Sequence, residues 1–242
     1  MYALTVENLS VAYDKKTVLE NACVSVPIGH LSAIIGPNGA GKSTFLKAIL
    51  NQLPNKVGRV EILGKVFEPK SLVVGYVPQR NAVDWDFPTN ALDIVLMGCY
   101  GHTGLFRRPS KKDKILAQQA LASVGMEDFA DRSIGQLSGG QQQRVFLARA
   151  LAQNADIYFL DEPFAGVDAA TEKTIIDILK DLKAQGKSIF VVHHDLQTVK
   201  DYFDYTILLN KTILASGATE EVFTPAQLQK TYGGKLFMMQ NV

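Results

Sequence analysis

Cysteine is nearly missing, since the 242 residues hold only Cys23 and Cys99. Two cysteines cannot build a disulfide framework, and they lack the spacing of a metal site, so the reducing cytoplasm is the natural compartment. Each is expected to be a small buried hydrophobe. Long apolar runs are missing too. None approaches the roughly 20 residues that span a bilayer, so any membrane role calls for other chains. The opening Met1-Tyr2-Ala3-Leu4-Thr5-Val6-Glu7 has no basic stretch followed by an apolar run, and therefore no secretory signal is read there. Charge of one sign is also absent: 25 Lys+Arg stand against 24 Asp+Glu, a net charge of +1. That balance gives no global electrostatic reason for a nucleic-acid or anionic-membrane partner, and no nucleic acid is expected. There is no internal repeat and no low-complexity tract.

What is present is an alternation of strand and helix signals. Residues 4–13 and 18–26 read as strands, and the continuous apolar run at 31–35 reads as a buried parallel strand. A glycine-rich stretch follows, and then a helical pattern from Lys42, with Phe45, Ala48 and Ile49 on one face, continuing until Pro54. Residues 89–100 and 110–124 read as helices, the second capped by Ser110 and stopped by Gly125. Sheet character returns at 157–160, followed by a helix over 168–185, the stop Gly186 and an apolar strand at 188–192. Strands alternating with helices predict an α/β fold with a parallel sheet.

The segment Gly36-Pro37-Asn38-Gly39-Ala40-Gly41-Lys42-Ser43-Thr44 matches the P-loop pattern, between a buried strand and a helix where that pattern has meaning. Glycines let the backbone curl so that its N–H groups face phosphate oxygens, and the helix N-terminus adds its positive end. Lys42 then neutralises the β- and γ-phosphates of a nucleotide, and Ser43 offers its hydroxyl to Mg²⁺. At average composition such a match arises by chance in roughly one in a hundred chains of this length. A second element is the apolar run ending in Asp161-Glu162. It delivers two carboxylates to the C-terminal edge of a strand, where α/β sheets bind ligands. Asp161 is expected to hold Mg²⁺ and Glu162 to polarise the attacking water.

These two elements define a P-loop ATPase or GTPase, and a third decides its kind. Leu137-Ser138-Gly139-Gly140-Gln141 before a helix resembles the signature sequence of ATP-binding cassette proteins. The resemblance covers the whole chain, and it implies a P-loop core with a mainly parallel sheet, an antiparallel β subdomain and a helical subdomain. The expected organisation is one domain, with 1–84 and 155–242 as nucleotide-binding core and 85–154 as the helical, signature-bearing part. It further implies that Tyr13 stacks on adenine, that Gln79 touches Mg²⁺ and the water, and that Asp168 communicates across a dimer. Asp168 also reads as the N-cap of the next helix. Of His193 and His194, the resemblance selects His194, which precedes Asp195, for the γ-phosphate.

In that family the signature of one subunit completes the P-loop site of another, so a single cassette implies a homodimer sandwiching two ATP molecules. A chain that is a cassette alone resembles the separate ATPase of importers, working at the cytoplasmic face of the cell membrane on a permease dimer. Residues 81–88, 96–101 and 105–109 resemble those of manganese, zinc and iron importers, with manganese placed first. An extracellular metal-binding protein then captures the ion, which never touches this chain. A zinc or iron importer, an exporter cassette and a soluble ATP-driven mechanical protein are the other readings.

Overall fold

The computed structural model describes residues 1–14, 16–68, 73–103 and 108–233. In chain order the elements are β1 (Tyr2–Tyr13), β2 (Lys16–Pro27), β3 (Leu31–Ile35), α1 (Lys42–Ile49), β4 (Lys56–Ile62), β5 (Lys65–Val66) and β6 (Val74–Val77). They continue with α2 (Ala91–Thr103), α3 (Lys111–Ser123), α4 (Gly139–Ala152), β7 (Ile157–Asp161) and α5 (Ala169–Ala184). The last are β8 (Ser188–Val192), α6 (Val199–Tyr202), β9 (Tyr205–Asn210), β10 (Thr212–Ala218), α7 (Thr219–Val222) and α8 (Pro225–Tyr232). Two compact units result, one formed by Met1–Ser71 with Ser188–Val242 and the other by Leu72–Lys187.

In the first unit β3 is flanked by β8 and β9, both parallel to it, and β10 runs antiparallel on β9. All five residues of β3 and all five of β8 are buried. Strands covered on both faces need nearly continuous apolar runs rather than alternation, and Leu31-Ser32-Ala33-Ile34-Ile35 is apolar except for the buried Ser32. A separate antiparallel sheet has the order β2-β1-β4-β5. There β2 alternates, with Leu19, Ala22, Val24 and Val26 inward. Cys23 falls on the outward phase of that alternation and is exposed, contrary to the sequence expectation, whereas Cys99 is buried as expected. The Cys23 thiol is engaged at the surface, accepting from the Asn8 N–H at 3.2 Å.

The second unit pairs β6 and β7 in parallel, Val77 opposite Leu160. Helices α2 and α4 cross closely at Gly98, where a Cβ would stand 2.1 Å from the Arg149 carbonyl oxygen. Helix α3 begins with a reciprocal cap between Ser110 and Asp113. At its far end the backbone turns through Gly125, with φ 64°, and Arg144 Nη1 donates to the Val124 carbonyl at 3.1 Å.

Boundaries shift where local chemistry overrules periodicity. Helix α1 stops at Ile49 rather than at Pro54, because Asn51 takes a left-handed conformation with φ 56°. Helix α2 starts two residues later than the pattern predicts, since Asn90 Oδ1 accepts from the Asp93 N–H at 2.8 Å and so ends the loop. Leu105, Phe106 and Arg107, part of the stretch resembling metal importers, lie outside the described residues. The expected α/β architecture, a mainly parallel sheet with an antiparallel sheet and helices, is the one found. No helix among the described residues is long and apolar enough to cross a membrane.

Candidate nucleotide site

The first unit carries the P-loop, Tyr13 and His194. Gly36 ends β3 where no side chain fits, since a Cβ there would lie 1.9 Å from the Leu209 carbonyl oxygen. Gly41 is the N-cap of α1 with φ 100°, a conformation that an L side chain rarely adopts. Between them the chain folds back on itself, with the Ala40 N–H donating to the Pro37 carbonyl at 3.0 Å and the Lys211 N–H to the Ala40 carbonyl at 2.9 Å. Lys42 is buried, and its Nζ donates to the carbonyls of Gly36 at 2.7 Å and Pro37 at 3.2 Å. The ammonium thus curls over the loop that precedes it. Asn38 and Gly39 are exposed at the crest, while Pro37, Ser43 and Thr44 are partly covered.

Helix α8 braces this loop, a support that sequence reasoning missed. The buried Tyr232 hydroxyl is hydrogen-bonded to the backbone of Gly36, and burial pushes its pKa up to about 12. Asn210 at the end of β9 fixes α8 in turn, its amide donating to the Thr231 carbonyl at 2.8 Å. The two histidines after β8 divide their work. His193 is buried, hydrogen-bonded through Nε2 to the Thr198 hydroxyl at 2.8 Å, and burial together with the His194 charge pushes its pKa down to about 4. His194 is exposed. Tyr13, at the end of β1, is 45% exposed, so its ring is open to a stacking partner.

The second unit carries the carboxylates and the signature. Because β6 and β7 are parallel with Val77 opposite Leu160, the residues two places further on, Gln79 and Glu162, meet at the same edge. Gln79 Nε2 donates to Glu162 Oε2 at 2.8 Å. Glu162 has φ 52°, a left-handed backbone that costs a non-glycine residue about 1–2 kcal/mol and turns the chain sharply off the strand. Asp161 is 1% exposed. Tyr76 on β6 registers its charge: burial first, and Asp161 second, raise the phenol pKa to about 12.

Ser138 is the N-cap of α4, accepting from the Gln141 N–H at 3.3 Å, while Gln141 Oε1 accepts from the Ser138 N–H at 2.9 Å. Asp168 caps α5 in the same manner, accepting from the Thr171 N–H at 2.7 Å. That bond holds the Asp168 carboxyl below the usual carboxylate range. The capping expected of Asp168 is therefore found. The signature glycines lie under two neighbours that sequence reasoning did not single out. A Cβ on Gly139 would stand 2.9 Å from Arg80 Nη1, and one on Gly140 would stand 3.3 Å from the Thr171 side chain. Arg149 secures the same helix to β6, its Nη2 donating to the Tyr76 carbonyl at 3.1 Å and its guanidinium lying 4.5 Å from the Phe146 ring centre. No sequence motif marks the contacts of Arg80 with Gly139, Thr171 with Gly140 and Arg149 with Tyr76, because each joins residues far apart in the chain.

Comparison with known proteins identifies the family of this chain. The family model described as ABC transporter matches residues 19–165. The manganese transport system ATP-binding protein MntB of Bacillus subtilis is 58% identical over 241 residues, covering 100% of this chain and 96% of its own length. The zinc transport system ATP-binding protein TroB of Treponema pallidum is 56% identical over 235 residues, covering 97% of this chain and 88% of its own. Among solved structures, a nucleotide-free ATP-binding cassette from an ABC transporter superimposes with a TM-score of 0.85 at 25% identity, over 97% of this chain and all of that one. A strand-borne P-loop, a capped Ser-Gly-Gly-Gln helix and a Gln-Glu pair at one strand edge thus occur together in a chain that belongs to the ABC transporter family, as an ATP-binding ATPase subunit.

Proposed function

We propose that this ATPase energises import of a divalent metal ion, manganese first, through a separate membrane permease. The observation that carries the reading is full-length similarity at 58% identity to a manganese transport system ATP-binding protein. Zinc is the second reading, favoured by the 56% identity to a zinc transport counterpart. Two copies of the chain work at the cytoplasmic face of the membrane with a permease dimer, and an extracellular metal-binding protein delivers the ion.

The residues fit MgATP. The N-cap of α1 is a glycine without a side chain, and its first turn holds no acidic residue. A phosphate supplies the negative partner that helix N-terminus lacks. The backbone of Gly36 through Thr44 binds the phosphates, and Lys42 leaves its loop carbonyls for the β- and γ-oxygens. Ser43, Gln79 and Asp161 would hold Mg²⁺, which when bound supplies charge neutralisation and Lewis acidity. Tyr13 stacks on the adenine. Glu162 accepts a proton from the attacking water, and Gln79 aims its carboxylate through the bond already formed. His194 senses the γ-phosphate. In the partner subunit, Ser138, Gly139, Gly140 and Gln141 close on that phosphate with Asp168 nearby, so that hydrolysis reopens the pair and moves the permease.

Cellular uptake of labelled manganese and zinc, compared between the native chain and Glu162→Gln at matched expression, tests the reading. Loss of manganese uptake supports it, and loss of zinc uptake alone moves it to zinc. If neither uptake changes, the metal assignment falls.

A further inference from the structure

Arg80 directly follows Gln79, and its side chain reaches the signature helix of the same chain. Its Nε donates to Gln142 Oε1 at 3.2 Å, and Gln142 is itself buried, with Nε2 donating to the Ile134 carbonyl at 3.1 Å. The guanidinium carbon lies 3.0 Å from where a Gly139 Cβ would stand, so the first signature glycine leaves room for it. The Arg80 backbone is held from the same side. Its carbonyl accepts from Trp85 Nε1 at 2.9 Å, and the Trp85 ring meets Phe146 of α4 edge-on with centroids 5.1 Å apart. One residue away, Gln79 grips Glu162. Contacts therefore run without a gap from the N-terminal turn of α4 to the carboxylate at the end of β7.

The charge on Arg80 gives this connection a direction. A guanidinium beside the N-terminal turn of a helix opposes the helix dipole. An anion arriving at Ser138 and Gly139 relieves that opposition, so the free energy of Arg80 differs between the engaged and the unengaged turn. A difference of that kind is what coupling requires. We propose that Arg80 is a positioning residue which couples engagement of the signature turn to the orientation of the Gln79–Glu162 pair in the same subunit. The inference rests on the reading of Glu162 as base and of the signature as a nucleotide contact. Lysine is a poor substitute, since it lacks both the Nε donor and the planar face that packs on Gly139.

The test is a double-mutant cycle on ATP hydrolysis by the full-length chain, using Arg80→Ala, Gln142→Ala and the pair together. Arg80→Ala is expected to lower kcat roughly two- to thirty-fold, the range for coupling residues, with the KM for ATP unmoved because the P-loop is untouched. The double variant is expected to be no slower than the slower single one. If Gln142→Ala does not fold, Trp85→Phe takes its place, removing the hydrogen bond to the Arg80 carbonyl while keeping a ring against Phe146. An unchanged kcat in Arg80→Ala, a rise confined to KM, or effects that multiply in the double variant would each overturn the proposal. A Glu162→Gln variant hydrolysing at the native rate would remove the base assignment and this inference with it. A Glu162→Gln variant that is slow as expected, combined with multiplying effects in the double variant, would remove the coupling alone.

Discussion

Glu162 combines the left-handed backbone with a carboxylate held by Gln79, and neither feature is needed for a strand to end. Strained backbone held at a charged edge is a mark of function. Glu162→Gln is expected to keep ATP affinity and to lower the hydrolysis rate about 10²–10⁴-fold, read by nucleotide binding beside steady-state turnover. Lys42→Ala is expected to do the opposite, losing nucleotide affinity, because its ammonium is the cation already poised over the loop. One substitution separates the capping by Asp168 from the role proposed for its charge across the dimer. Asp168→Asn keeps an oxygen for the Thr171 N–H and is expected to leave the melting temperature unchanged, while a fall in turnover would isolate the effect of the charge.

Elements that rest on local chemistry were legible in the sequence. The P-loop, the Ser110 and Asp168 caps and the stop at Gly125 each lie within a few residues of what they act on. The braces were not legible. Tyr232 against Gly36, Arg80 against Gln142 and Gly36 against Leu209 join distant parts of the chain, and a residue type alone does not announce such a partner. Cys23 failed for a simpler reason: composition says that cysteine prefers the interior, but the phase of β2 decides which face it takes. The β3–α1 junction gives a sharp test of a nonlocal brace. Gly36→Ala meets the Leu209 carbonyl and is expected to cost about 1–3 kcal/mol by overpacking. Gly39→Ala, with nothing within 4 Å but φ 81°, is expected to cost about 1 kcal/mol of backbone strain. Denaturant midpoints at constant slope would rank the two.

For the molecule as a whole, buried titratable groups set the pH range of stability. His193 has its folded pKa pushed from 6.5 down to about 4, so its contribution is fully present above pH 6.5 and is lost as pH falls toward 4. His193→Gln keeps a hydrogen bond to Thr198 and is expected to flatten that part of the acid limb in pH-dependent melting. Tyr76, Tyr158 and Tyr232 are displaced the other way, each raised by burial from 10 to about 12. Their contribution is complete below pH 10 and disappears as pH climbs toward 12. Native stability should therefore have an alkaline edge, and Tyr232→Phe should soften it.

The contrast between Cys23 on the outer face of β2 and Cys99 inside the second unit gives the native chain a built-in counter. Under native conditions a thiol-directed dye should attach once per molecule, at Cys23. The second attachment must wait for the second unit to open. Burial also raises the Cys99 pKa, so in the closed unit its thiol is a poor nucleophile as well as a hidden one. Labelling stoichiometry followed over time would thus report local opening of one unit directly, without an engineered probe.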